Sequence, residues 1–413
     1  MKKTSTRGWL ALLCCLLANL IYCGFINNQM ALLMDPVCSS LNIPRSLFST
    51  LQSLTPVVNA VISVFFVKFL NKLGLRLMAI IGGVCIVCFA VFYYVAGLIP
   101  GAAVVFIGAA QIILGVNMSW ATAMTANIVI TNWFAKSTGT LISLYAAAGG
   151  VGGVIAAPLV GKWVAAMGWQ TTMFYFIIAA AATLVVFIVL FRAAPGENES
   201  RVWEGQADEA AAEAVVEGLT YAQARKTGNF LFCAFICVGL GVFLYPPMLI
   251  LAAYCADCGV VEIAGTAMSV VFAAQIIINL PLGALVEKIG LRATILPIFA
   301  AFMAAMLALA LAPGKAVILF AAVCIGAAFA VINVLTALLI GAIFGNRDFA
   351  GIQSKFYVFM MVGMIVGPPI FNTVYDLSGS YKGVFLADAA AMVLMIIALF
   401  GATKKIDYEK YSQ

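Results

Sequence analysis

The 413-residue sequence contains no histidine and only 9% charged residues. Without histidine there is no imidazole for acid–base catalysis, for metal ligation or for a pH switch near neutrality. Charges this sparse, beside 65% hydrophobic residues, cannot cover a soluble surface. Mean hydropathy is +1.12. Acids are scarcer still: of 16 Asp and Glu, only Asp388 falls at the middle of an apolar run. No Gly-x-x-x-x-Gly-Lys-Ser/Thr loop occurs, which removes ATP-driven work by this chain alone. With no carboxylate pair at membrane depth and no appended soluble domain, the chain reads as a non-enzyme with no cofactor. The short alternating segments of a β-barrel are missing as well.

What is present is a series of long apolar runs. A crossing helix needs about 20 such residues, and twelve stretches qualify: 9–33, 47–69, 77–98, 102–128, 141–163, 172–191, 230–254, 263–286, 293–311, 316–343, 350–375 and 384–402. The fold class is therefore an all-α polytopic membrane protein. Lys2, Lys3 and Arg7 precede the first run as in a signal peptide, but that run is too long for a cleaved core and is expected to be retained. Of the 22 Lys and Arg, four (Arg45, Lys162, Lys315, Lys382) fall in loops of one side, Lys355 falls inside a span, and the remaining 17 lie on the other side or at the termini. The positive-inside bias puts both termini in the cytoplasm of a cell inner (plasma) membrane. The net charge of +6 thus reflects topology, and no nucleic-acid partner is expected.

The chain repeats itself. Asn71-Lys-Leu-Gly-Leu-Arg76 and Glu287-Lys-Ile-Gly-Leu-Arg292 share Lys, Gly, Leu and Arg in register. Gly139, Gly168 and Phe174 are echoed by Gly351, Gly379 and Phe385. A six-plus-six duplication accounts for both, giving halves 1–192 and 229–413 joined by a polar linker, 193–228, with a short tail at the end. The linker is acidic from Glu197 to Glu217, and its Thr220-x-x-Gln223 has the form of a helix capping box. Arg76, Arg292, Lys72 and Lys288 of the repeated loops are expected to latch the cytoplasmic side against helix ends and acids.

Twelve spans, paired basic loops and a central linker resemble the major facilitator superfamily. Within it, Asn42-Ile-Pro-Arg-Ser46, Asn132-Trp-Phe134…Gly139 and Gly149-Gly-Val-Gly-Gly153…Pro158 resemble the oxalate–formate antiporter and monocarboxylate transporter group. The resemblance implies a secondary transporter in which one half rocks against the other, with cations in spans eight and eleven of members that carry dicarboxylates. Span eight here offers only Gln275 and Asn279, and the family pattern sets Met360 at the usual lysine position. Lys355 is a displaced cation.

Polar and aromatic residues recur at mid-span: Asn19, Tyr22, Asn59, Asn117, Trp120, Tyr145, Tyr245, Gln275, Asn333 and Tyr357. Each can hydrogen-bond a neighbouring helix, or together they can line a wet central cavity. Lys355 has two readings also. A charge at membrane depth costs about 3 kcal/mol and invites an anionic ligand, yet its stem could snorkel to the interface from roughly 9 Å inside. The expected function is carriage of a small, monocarboxylate-like organic anion by a monomer in the lipid bilayer. Lys355 would hold its charge, and Asn19, Tyr22, Trp120, Tyr145, Tyr245, Gln275, Asn333 and Tyr357 its body. The alternative is efflux of an amphipathic neutral or drug-like compound. Glycines of spans five and eleven (Gly149, Gly150, Gly152, Gly153, Gly363, Gly367) are expected at close helix crossings. Most of the eleven cysteines lie in apolar runs; Cys38, Cys255 and Cys258 lie at outer ends, where a disulfide stays open.

Overall fold

In the computed structural model, residues 6–134, 138–195, 202, 218–345 and 347–404 are described, apart from the side chains of 139, 333 and 350. The acidic stretch of the linker, Lys136 and both chain ends lie outside them. Eleven continuous helices among the described residues are long and apolar enough to cross a membrane. One of them, Thr138–Leu190, has 53 residues, far more than a bilayer of about 30 Å accommodates at 1.5 Å per residue. It is interrupted at Gly168 (φ 81, ψ 166), a backbone conformation open to glycine and closed to side chains. Dividing it there gives spans five and six, and twelve spans in all.

Span one is composite. An α-helix, Thr6–Ala18, passes into a π-helical stretch, Asn19–Ile26, then a 3₁₀ turn and a second α-helix, Met30–Leu41. Span seven repeats the device: Gly228–Gly239, a π-helical Leu240–Leu244, then Pro246–Asp257. The wide turns sit where another helix crosses at backbone distance. A Cβ on Gly24 would fall within 3.0 Å of Gly149 and Gly152 of span five. A Cβ on Gly241 would do the same to Met360, Gly363 and Met364 of span eleven (Phe349–Ser378). The glycine-rich runs thus serve the expected close crossings, one in each half of the sequence.

Span two is not the single run expected. It divides into Arg45–Gln52, Leu54–Val64 and Phe66–Leu73. The chain forms two compact units, and the division assigns Met1–Ile43 with Leu54–Glu213 to unit 1, and Pro44–Ser53 with Ala214–Gln413 to unit 2. The first eight-residue piece of span two therefore belongs by contact to the second unit.

The repeated loops adopt one conformation. Gly74 (φ 76, ψ 153) precedes span three, Leu75–Leu98, and Gly290 (φ 87, ψ 158) precedes span nine, Leu291–Leu311. The capping box forms as read: Thr220 and Gln223 exchange bonds across the short helix Tyr221–Ala224. The linker is pinned at two described points. Val202 donates its N–H to Trp133 O in unit 1, and Leu219 donates to Phe344 O in unit 2. All eleven cysteines are free thiols.

Candidate functional site

In unit 1 the expected residues converge on spans one, three, four and five. Asn19 donates from Nδ2 to Tyr145 O at 2.6 Å. One turn on, the Tyr22 hydroxyl lies 3.2 Å from where a Cβ on Gly83 would stand. Asn117 donates to Gly82 O at 2.8 Å, and the backbone of Trp120 and Ala121 packs on that same glycine. The bare backbone of Gly82 and Gly83 is what lets spans one and four approach span three here. The Trp120 ring meets Phe69 edge-on at 5.2 Å.

Several polar atoms in this interior are unmet. Among the described residues, Tyr22 OH, Tyr145 OH, Trp120 Nε1, Asn117 Oδ1, Asn127 Oδ1 and Gln29 Oε1 are buried with no hydrogen-bond partner. Leaving a buried polar group unpaired costs about 1–3 kcal/mol, so such groups mark places for water or a ligand. Asn59 behaves otherwise: its Oδ1 accepts from Ser119 Oγ at 2.8 Å, so it is a helix-to-helix bond. Gln111 is tied similarly to Thr55 and Tyr93. The sequence shows Asn59 and Asn117 as equals; only their neighbours separate them.

In unit 2 the candidates lie on spans seven, eight, ten and eleven. Tyr245 stacks on Phe329 at 6.3 Å. Gln275 is half-buried on span eight, Val261–Ile289. The side chain of Asn333 is outside the described ones. Tyr357 and Lys355 are both exposed, and two residues along a helix point them to different sides. Phe356 between them is core, 4.9 Å from the Phe230 ring. The Lys355 ammonium stands 6.0 Å over the ring of Tyr221. Tyr221 is held in turn by its N–H, which donates to Asp348 Oδ2 at 2.8 Å. Asp388 of span twelve, Lys382–Ala402, is 1% exposed, and neither carboxyl oxygen has a partner among the described residues.

The loop arginines meet helix ends within their own units. Arg76 donates to Ile188 O at 3.1 Å, at the end of span six. Arg292 donates to Thr403 O at 2.9 Å, to Phe400 O at 3.3 Å and to Thr403 Oγ1, with its guanidinium 5.3 Å over Phe400. Cations at helix C-termini contribute about 0.3–1 kcal/mol each. Lys72 and Lys288 are exposed and make no such contact among the described residues. Arg292→Ala is expected to destabilise by about 1 kcal/mol and to speed proteolysis after span twelve, Arg76→Ala less, and Lys72→Ala or Lys288→Ala not measurably. Equal melting curves for the Arg292 variant and the parent would remove the helix-end role.

Arg45 is the residue that reading the sequence missed as a site. In the sequence it is one loop charge among four on its side, within the Asn42–Ser46 motif. It is 7% exposed. Its Nη1 and Nη2 donate to Asp257 at 2.7 and 2.8 Å, and its guanidinium lies 4.2 Å over the Tyr375 ring. Tyr375 donates to Asp257 Oδ1 at 2.9 Å and stacks on Tyr381 at 4.4 Å. Burial raises the Tyr381 hydroxyl above its ordinary range while Arg45 pulls it down. It stays protonated and donates to Asn372 Oδ1 at 2.7 Å. The Asn132-Trp-Phe134 motif is structural: Asn132 and Trp133 cap the end of span six through Ala193 O and Arg192 O.

No curated protein matches the chain in sequence. Solved structures share its fold. The nucleoside transporter NupG superposes with a TM-score of 0.74 at 14% identity, covering 97% of this chain and 100% of that one. A D-xylose–proton symporter gives 0.72 at 14%, with 96% and 99% covered. A bacterial homologue of the human lysosomal transporter Spinster, inward-facing and unoccupied, gives 0.67 at 15%, with 98% and 96% covered. At these identities the likeness is one of fold. The family model described as "Major Facilitator Superfamily" matches residues 14–257 and 231–410, nearly the whole chain. The chain therefore belongs to the major facilitator superfamily: it is a multi-pass membrane transporter and not an enzyme.

Proposed function

We propose that this transporter exchanges or facilitates passage of a small organic anion with a single carboxylate, by alternating access, in a cell membrane with both its termini cytoplasmic. The observation that carries the reading is the set of unpartnered donors in unit 1: Tyr22 OH, Tyr145 OH and Trp120 Nε1. A carboxylate only accepts hydrogen bonds and has about four lone-pair sites to fill. In unit 2 the reading assigns the charge to Lys355, which has no acid within ion-pair distance among the described residues. One cation without a partnered acid favours exchange over obligatory proton symport.

A second reading has its own support. A groove of about 410 Å³ in unit 1 is lined only by Leu13, Leu16, Leu17, Leu20, Leu144, Ala147, Ala148 and Val151. Its size and apolarity suit an amphipathic neutral compound. Nucleosides and xylose, the solutes named for two of the structural neighbours, are uncharged as well.

Counterflow in proteoliposomes decides. Vesicles loaded with unlabelled formate, acetate or lactate should take up the labelled acid, and nucleosides or xylose should not compete. No counterflow for any monocarboxylate, with counterflow of a neutral solute, would transfer the assignment to the second reading.

A further inference from the structure

Asp348 stands where a helix cap belongs, and its carboxylate is used elsewhere. It is the N-cap residue of span eleven, yet among the described residues its side chain makes no capping bond to that helix, the usual task of an Asp there. Its Oδ2 instead accepts the N–H of Tyr221 at 2.8 Å. Glycine at 351 keeps room for it: a Cβ there would fall within 3.0 Å of the Asp348 carboxyl. Gly351 is the second-half echo of Gly139, and this carboxylate is what its bare backbone accommodates.

The linker residues it holds form a short, well-fastened arm. Leu219, 1% exposed, donates its N–H to Phe344 O at 2.8 Å. Gly218 (φ 142) lies against the same carbonyl, where a Cβ would fall within 3.0 Å. Thr220 and Gln223 close the capping box, and Ala224 is buried. The Tyr221 ring meets the Phe230 ring edge-on at 6.0 Å and lies under the Lys355 ammonium at 6.0 Å. Lys355 follows Asp348 by seven residues, about two turns along one face of a helix, so one arm meets both. All of these residues belong to unit 2.

We propose, on the reading that Lys355 takes the substrate's charge, that Asp348 is a positioning residue for the anion site. By holding the arm 218–224 it keeps the Tyr221 ring on the Lys355 ammonium, so an incoming carboxylate and Tyr221 compete for one cation. A ring face holds an ammonium loosely and a carboxylate holds it more strongly, so the substrate displaces the ring. Before that, the ammonium is free for only part of the time, and apparent affinity is reduced by that fraction. An exposed cation–π contact of ordinary strength corresponds to roughly a two- to five-fold reduction. Asp348 acts on Lys355 only through the arm, since its own carboxylate is taken by the Tyr221 N–H.

Two measurements test this, one of them without substrate. In purified full-length protein, acylation of Lys355 by sulfo-N-hydroxysuccinimide acetate is read by peptide mass spectrometry against Lys288, which is exposed. The reagent needs the neutral amine, whereas the ring favours the ammonium. Asp348→Ala should speed acylation of Lys355 roughly two- to five-fold. Asp348→Asn, whose amide oxygen still accepts the Tyr221 N–H, should lie between it and the parent. In proteoliposome counterflow, Asp348→Ala should lower the monocarboxylate concentration at half-saturation by the same factor, while the maximal rate changes less. Unchanged acylation of Lys355 overturns the proposal. Faster acylation with unchanged half-saturation overturns it too, and Lys355→Gln then shows which part failed. Normal exchange by that variant removes the anion reading itself, and lost exchange leaves that reading standing without the arm. If Asp348→Ala is not recovered folded, Tyr221→Leu takes its place: leucine keeps the backbone bond to Asp348 and an apolar contact for Phe230 but offers no ring face, and the same outcomes decide.

Discussion

Gly152→Ala and Gly363→Ala are each expected to destabilise the protein by about 3 kcal/mol, at the upper end for an overpacked core, and bulkier residues there should leave little folded protein. A Cβ on Gly152 would fall within 3.0 Å of Leu20 O, and one on Gly363 within 3.0 Å of Val238 O. In both places the obstacle is backbone, which cannot rotate aside as a side chain can. The helices must separate, and the π-helical turns at Asn19–Ile26 and Leu240–Leu244 lose the crossing they are shaped around. Gly283→Ala gives the opposite sign. Nothing lies within 4 Å of its missing Cβ, and it sits inside the helix Ala264–Ile289. Alanine there should stabilise by roughly 0.5–1 kcal/mol through helix propensity and unfolded-state entropy. Melting temperatures of detergent-solubilised protein measure all three. If Gly152→Ala melts with the parent, the close crossing is not a determinant of stability.

What could be read in advance was whatever one segment decides alone. Gly74 and Gly290 were legible because a left-handed, extended turn admits little except glycine, and the arginine two residues later begins a helix beside a helix end. Thr220 and Gln223 were legible because a capping box closes within four residues. The division at Gly168 was legible from length: no single crossing uses that many residues. The rest depends on neighbours. Pro56, which has no N–H for the Gln52 carbonyl, and the polar Gln52 and Ser53 mark the break in span two in the sequence; the packing of residues 44–53 on unit 2 is what they leave unmarked. The π-helical stretches likewise follow from a crossing partner far away in sequence. Asn59 and Asn117 have equal standing as letters, yet one bonds Ser119 and the other keeps an oxygen unmet. The depth of Lys355 in its span is legible from the chain but its direction is not, and the tyrosine it approaches comes from the linker.

Lys355→Gln is expected to abolish monocarboxylate exchange while leaving the melting temperature within a few degrees of the parent. Stability should hold because the side chain is exposed and no carboxylate depends on it; its described neighbour is the Tyr221 ring at 6.0 Å. An exposed cation–π contact is worth about 0.5–1 kcal/mol. A hydrogen bond to a charged group contributes about 1.5–3 kcal/mol. A substrate carboxylate can therefore draw the ammonium away from Tyr221, and losing it should weaken apparent affinity roughly 10- to 150-fold. Lys355→Arg should keep part of the exchange, since charge survives while a compact point charge becomes a planar fork. Tyr221→Ala should lower the apparent Michaelis constant slightly, because it frees the ammonium without removing it. Near-normal exchange by Lys355→Gln would make the lysine a snorkelling side chain. The unmet donors Tyr22, Tyr145 and Trp120 would then be the ones to substitute next, with phenylalanine at each, against a neutral amphipathic solute.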